Sequence, residues 1–453
     1  MANFNKLAKG YEKIGVLALQ KFIQIPSTYD EGSVSKEAPY GKNVAKALAY
    51  FEKLGKDYGF KTRNVDGHAV ELEIGEEGPL IGIYGHSDVV PASGKWDHKE
   101  FGGELKDGVI YGRGAIDDKG PLLAALYATK LLKDNGLIKG FRIKIVSGGD
   151  EERGSSCLRY YFEKGNGETP SFGFTPDANW PLIYAEKGII HAYARKIANL
   201  SPIIAMDGGV VSNAVCDSLL VTLAPDKKLE EYLKVKGANV EITSSPSLLL
   251  LRFIGKSAHG STPELGENAA TKAFELLGDF YHNETLLTFA KAMKDPNGAS
   301  FGGKKESKEL GLTTYNYGLI KYDGNSLSVS IDFRYGEKVK PMECLNKFFE
   351  MTGSVPVIEG EAKPLLFPKD GPLVSTLMKA YKRGTFDLFA KPLAIGGGTY
   401  AKEAPNTVAF GAEWKKTGGN MHSPNEFMPV KDFVKDIALY ARGIYMLGKK
   451  ASK

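Results

Sequence analysis

Near the N-terminus, Leu7, Tyr11, Ile14 and Leu17 recur at three- and four-residue steps, which predicts an amphipathic helix. A second helix is expected near Val44–Tyr58. Beyond it, short apolar runs alternate with helical stretches. PLIGIYGHSD (79–88) reads as a buried strand ending in polar residues, and DDKGPLLAALYATKLLKDNG (117–136) as a helix closed by Gly136. FRIKIVSGGDEE (141–152) and SFGFTPDANW (171–180) read as further strands. Strands alternating with helices predict an α/β sheet covered on both faces. In open sheets of this kind, ligands gather beyond the strand ends.

From about Lys187 the texture changes. GIIHAYARKI, PSLLLLRFIGK and SLSVSIDFRYG read as strands of a more open sheet. In the last, Leu327, Val329, Ile331 and Phe333 fall on one face, and Ser328, Ser330, Asp332 and Arg334 on the other. GENAATKAFELLGDFY (266–281) reads as a covering helix, giving an α+β layer. Near residue 370 the α/β texture returns, with a helix around Leu373–Tyr381 and a final helix carrying Val430, Phe433, Ile437, Ala441 and Ile444 in register. The expected architecture is an α/β domain, 1–186 plus 370–453, interrupted by an inserted α+β domain at 187–369.

Composition narrows the class. The chain has 453 residues, 42% apolar and 25% charged, an ordinary globular balance that excludes disorder as the dominant state. A formal charge of +5 spread over this length does not suggest a nucleic-acid surface. Cys157, Cys216 and Cys344 form no CxxC pair, so neither a disulfide framework nor a thiolate zinc site is indicated. Lys6, Lys9, Glu12, Lys13 and Lys21 interrupt the stretch where a signal peptide needs an apolar core, and no run approaches the ~20 apolar residues of a membrane span. A cytoplasmic protein is expected.

The informative feature is where acids and imidazoles sit. There are only seven histidines. His86 and Asp88 end an apolar strand, Asp117-Asp118 opens a helix, and Asp150-Glu151-Glu152 follows another strand. Asp177 follows FGFTP, and His422 precedes the last helix. Taken singly, each has an ordinary reading: a hydrogen-bonded strand-end histidine, a helix cap, a solvated turn. Together they converge on one edge of the sheet. Adjacent carboxylates are costly on a buried edge unless a cation neutralises them, and carboxylate with imidazole suits zinc or manganese. A serine-hydrolase reading competes: Ser87, Asp177 and His422 follow the Ser…Asp…His order, although GHSDV lacks the final glycine of a nucleophile elbow and a loop follows it. HExxH, Walker A and GxGxxG patterns are absent.

Seven blocks carry a resemblance: GHSDVVP (85–91), GRGAIDDKGP (112–121), SGGDEERGS (147–155), PDANWP (176–181), GKSAHGSTPELGENA (255–269), GGGTYAK (396–402) and NMHSPNE (420–426). In this order they resemble the co-catalytic two-metal peptidase family of carboxypeptidase G, aminoacylase and succinyl-diaminopimelate desuccinylase, and most of all its PepV-type dipeptidases. The resemblance implies a mixed-sheet catalytic domain with an inserted lid. It assigns His86, Asp117 and Asp177 to one metal and Asp117, Glu152 and His422 to the other, with a cis peptide between Asp117 and Asp118. Asp88 is implied to orient His86, Glu151 to act as general base, and His259 to stabilise the oxyanion. Arg334 is implied to bind the substrate's C-terminal carboxylate, with Asn213 and the backbone at Gly398 as further substrate contacts. The GGVVSNAVCDS stretch departs from the usual proline-containing pattern around Asn213.

The expectation is therefore a monomeric metallo-dipeptidase with two divalent ions, zinc or manganese, acting on small peptides without nucleic-acid or membrane partners. The alternatives are a related amidohydrolase acting on N-acyl amino acids, the serine hydrolase, or an inactive metal-binding scaffold. Trp96, Trp180 and Trp414 are candidates for lining a substrate cavity, or for core packing.

Overall fold

A computed structural model describes residues 3–453 and divides them into two units. The first runs to Tyr184 and takes in Phe367–Leu393 and Thr399–Lys453; the second comprises Ala185–Leu366 and Ala394–Gly398. The short segment Ala394–Gly398 goes with the second unit because its carbonyls are used there. Lys187 N donates to Ile395 O at 3.1 Å, and Arg334 Nη1 to Gly396 O at 2.7 Å.

In the first unit, the N-terminal helix differs from its expected form. A tight 3-10 turn at Lys9–Tyr11 separates Phe4–Ala8 from Glu12–Ile23. That turn has about three residues per revolution instead of 3.6, so the stripe begun at Leu7 loses phase. Val16, Leu19, Phe22 and Ile23 are buried instead, while Ile14 and Leu17 are 41% and 49% exposed.

The sheet of this unit runs in the order Lys61–Val65, Ala69–Ile74, Arg142–Gly148, Leu80–His86, Phe172–Thr175 and Thr407–Ala409. The first two pairings are antiparallel and the last three parallel. Both faces are covered, as expected. Leu72 packs on Gly55 of the helix Lys42–Asp57, whereas its neighbour Glu71 on the other face meets Tyr161 of the helix Ser156–Glu163. The parallel strands Arg142–Gly148, Leu80–His86 and Phe172–Thr175 all finish at one edge. His86, the Asp150–Glu152 turn and Asp177 are delivered there by chain direction alone.

The helix Lys119–Asp134 is buried along nearly its whole length between the sheet and the helices Glu12–Ile23 and Val430–Ala451. Its apolar run is therefore continuous instead of striped. Trp180 and Trp414 both donate their indole N–H to Asp436 Oδ1, each at 2.9 Å, within a cluster with Tyr381, Phe410 and Tyr440. Trp180 is a core residue, whereas Trp414 is half-buried. Trp96 is half-buried beneath the Arg113 guanidinium.

The second unit is built on an antiparallel sheet in the order Val240–Ser244, Leu249–Ile254, Ser218–Leu223, Ile203–Gly208, Ile320–Tyr322, Ser326–Tyr335, Gly188–Ile197 and Val355–Ala362. Its core is formed with the helices Ala269–Tyr281, Glu284–Met293 and Pro341–Thr352. The strand Ser326–Tyr335 alternates only in its first half, because Ser330, Asp332 and Arg334 on the polar face are also buried. Among the described residues no helix is long and apolar enough to cross a membrane, and Cys157, Cys216 and Cys344 are buried free thiols.

Candidate metal centre

Asp117 lies between two imidazoles. Its Oδ1 is 3.0 Å from His86 Nε2, and its Oδ2 is 2.7 Å from His422 Nε2. Each histidine faces a second carboxylate, His86 with Asp177 Oδ2 at 3.7 Å and His422 with Glu152 Oε2 at 3.2 Å. Two triads result, His86–Asp117–Asp177 and Asp117–Glu152–His422, each with its ligand atoms within 4.8 Å of one another. Residues spread from 86 to 422 meet because three leave adjacent strand ends and two sit on turns that pack against that edge.

The turns are held by their own chemistry. The Asp117–Asp118 peptide is cis. Asp118 Oδ2 accepts from His86 N at 3.1 Å, and a Cβ on Gly85 would lie 2.4 Å from that same oxygen, so only glycine fits there. His86 Nδ1 is 3.0 Å from the Asp88 carbonyl oxygen and 3.4 Å from its Oδ1. The Asp88 carboxylate is spent mainly elsewhere: it accepts from Glu151 N at 3.2 Å and Glu152 N at 3.1 Å, pinning the acidic turn to the neighbouring strand.

The electrostatics are lopsided. Asp88, Asp117, Asp118, Asp150 and Glu426 are buried here; the buried cations nearby include Arg113, paired with Glu426, and Lys119, which burial pulls down to about 7. Burial, then the charges of Asp177, Glu152 and Asp117, push the Glu151 carboxyl well above the usual range despite the opposing pull of His86. Burial and Asp117 raise Glu152 to about 7 against the pull of His422. Burial alone would lower both histidines. Hydrogen bonds to Asp117, Asp177 and Asp88 instead hold His86 well above its ordinary value, and those to Asp117 and Glu152 take His422 up to about 11. Burial would raise Asp117, but its two imidazole partners hold it below the usual carboxylate range. Glu152 Oε1 is buried with no hydrogen-bond partner. A buried excess of carboxylate with an orphaned oxygen and two imidazole Nε2 atoms aimed at a shared acid is a donor set that fits divalent cations.

Ser87 is not a nucleophile. It is fully buried, its Oγ is hydrogen-bonded to Ser147 Oγ, and the Nε2 atom of His422 is engaged with Asp117 and Glu152. Order along the chain resembled a triad, but the geometry does not form one.

The remaining candidates lie on the second unit. His259 Nδ1 accepts from Ser261 N at 3.2 Å, which leaves the ring proton on Nε2. Asn213 is exposed, and its carbonyl accepts from Gly260 N at 2.7 Å. Arg334 is 3% exposed, with Asp332 and Gly396 O taking three of its five N–H groups. Gly398 is exposed in the glycine turn. Arg113 and Glu426 also belong to the site, although the sequence pattern assigns them no role. Both are buried and paired at 2.6 Å, and their only signal was their place within the GRGAIDD and NMHSPNE blocks.

A family model described as "Peptidase family M20/M25/M40" matches residues 82–445. The chain is 33% identical over 449 residues to the Bacillus subtilis (strain 168) protein named "Putative dipeptidase YtjP", covering 95% of this chain and 96% of that protein. Among solved structures, it shares the fold of an M20 family metallo-carboxypeptidase, Sso-CP2, from Sulfolobus solfataricus (TM-score 0.60, 18% identity, 96% and 99% of the two chains covered). It also shares the fold of human carnosine dipeptidase 1 (TM-score 0.60, 14% identity, 99% of each chain).

Proposed function

Because the chain belongs to peptidase family M20/M25/M40, we propose that it is a metal-dependent dipeptidase, with its hydrolytic centre at Asp117 and the groups around it. His86, Asp117 and Asp177 would hold one divalent cation, and Asp117, Glu152 and His422 a second, zinc or manganese by the donor set. When bound, such a pair lowers the pKa of a shared water from ~15.7 toward 7 and polarises the scissile carbonyl.

The chain's own groups do the rest. Glu151 lies beside the ligands without belonging to either triad, and its high proton affinity suits a general base. It takes the proton of the attacking water on its carboxylate and returns it to the leaving amine. Asp88 holds that turn in place through the Glu151 and Glu152 amides. His259, protonated on Nε2, is the donor for the carbonyl oxygen as charge develops on it. Arg334 takes the substrate's C-terminal carboxylate with its two remaining N–H groups, and Asn213 and the backbone of Gly398 contact the substrate. The units 1–186 plus 370–453 and 187–369 act as catalytic domain and lid of a monomer. Three unpaired thiols suit a reducing, cytoplasmic compartment.

The observation that carries this reading is Asp117, whose two oxygens divide between His86 and His422. The test is turnover of free-amino dipeptides against N-acetylated amino acids, after chelation and after adding back zinc or manganese. Metal-restored hydrolysis of the free dipeptides is expected. Preference for the N-acetyl compounds would replace the dipeptidase with an amidohydrolase, and turnover surviving full chelation would end the metal-dependent reading.

A further inference from the structure

Glu426 gathers an entire loop. Its carbonyl accepts from Gly112 N at 2.9 Å, and its Oε1 accepts from Gly114 N (3.0 Å), Ile116 N (3.0 Å) and Asp117 N (3.2 Å). Its Oε2 takes the Arg113 guanidinium at 2.6 Å, and the side chain is fully buried. Two other amides of the loop are satisfied locally, Arg113 N by Glu100 O and Ala115 N by Gly112 O. Every amide from Gly112 to Asp117 is therefore paired, and one carboxylate serves half of them.

Its chain neighbour Phe427 anchors the turn that carries His422. Phe427 N donates to Gly419 O at 2.9 Å, closing the loop that contains His422, and Phe427 pairs with Tyr111, the residue before Gly112. Glu426 and Phe427 together tie the backbone of Asp117 to the segment of His422, whose side chains meet at 2.7 Å. A neutral amide in place of Glu426 would turn an N–H toward Arg113 and offer the three backbone donors a weaker acceptor.

We propose that Glu426 is a positioning residue that presets Asp117 and His422 as one metal-receiving pair; this rests on the metal-dependent reading above. Outer partners of ligating groups usually carry ~10–100-fold in metal affinity. The experiment is calorimetric titration of chelator-stripped, full-length protein with Zn2+ alone, comparing wild type with Glu426→Gln, with far-UV circular dichroism of both. The expected result is two equivalents bound by wild type and a loss of about 10–100-fold in affinity for the variant, with an unchanged spectrum. Two ions bound by Glu426→Gln with wild-type affinity overturn the inference alone. A wild type that binds no zinc overturns the functional reading together with it. A second measurement needs no variant: hydrogen exchange of the wild-type segment 112–118 should be slow before metal is added, and exchange there as fast as in an exposed loop overturns the clasp.

Discussion

Arg334 grips Asp332, two residues earlier on the same strand, at two points: Nε to Oδ1 at 3.0 Å and Nη2 to Oδ2 at 2.9 Å. With Nη1 on Gly396 O at 2.7 Å, the guanidinium plane is fixed before any ligand arrives. Hydrogen bonds to charged groups are worth about 1.5–3 kcal/mol, or roughly 10–150-fold in binding. Arg334→Met should raise KM by about that factor for dipeptides and change kcat far less. For dipeptide amides, which lack the carboxylate, the variant and wild type should have similar KM values. Equal losses on both substrates would remove the assigned contact. Arg334→Lys should fail to rescue, because an ammonium cannot reproduce the planar fork.

Glu151→Gln separates base from ligand. The amide keeps the shape of the turn and its bonds to Asp88, which come from main-chain amides. Metal content measured by elemental analysis should be unchanged, and kcat should drop by about 10²–10⁴-fold. Wild-type turnover would refute the role.

Asp117→Asn removes the charge shared by two triads. Each histidine loses its closest anion, so the variant should retain fewer than one ion per chain where wild type retains two, and activity should fall to background. A variant holding two ions would show that Asp117 does not bridge them.

The pH dependence has a definite sign. Without metal, the carboxylates around His86 and His422 keep both rings protonated at neutral pH, His422 up to about 11. An imidazolium cannot ligate, so cation binding must displace these protons, and that from Glu152, raised to about 7, as well. Apparent metal affinity should therefore increase from pH 6 to pH 8, with net proton release visible as buffer-dependent heats in calorimetry. The metal-free fold has the opposite tendency. Elevated histidine values contribute stability that is complete below about 6.5 and lost as pH rises toward the folded-state values. Flat affinity across this range would contradict the displacement.

Ser87→Ala tests the discarded triad. Its hydroxyl is buried on Ser147, so the expected cost is about 1 kcal/mol of stability, seen as a small shift in Tm, with activity within a few-fold of wild type. Abolished activity in a well-folded variant would revive the serine mechanism.

Local pattern carried the elements whose periodicity is undisturbed. The strand Leu80–His86 and the helices Lys119–Asp134 and Ala269–Tyr281 lie where apolar runs and glycines place them. The N-terminal helix departs from its spacing pattern because a single tight turn shifts helical phase, an event that side-chain spacing does not register. Alternation puts Asp332 and Arg334 on the polar face of their strand, but it reports only that two faces differ, not whether a later segment covers the polar one.

What the sequence alone determined is the chemical inventory: which acids and imidazoles stand at strand ends, and that parallel strands would bring those ends to one edge. Tertiary structure decided the partners. Asp117 divides between His86 and His422, Asp88 serves the Glu151–Glu152 amides more than its neighbouring ring, and Ser87 is shut away from His422. Contacts between residues hundreds of positions apart depend on packing and burial, and an order of letters along a chain contains neither distance nor desolvation.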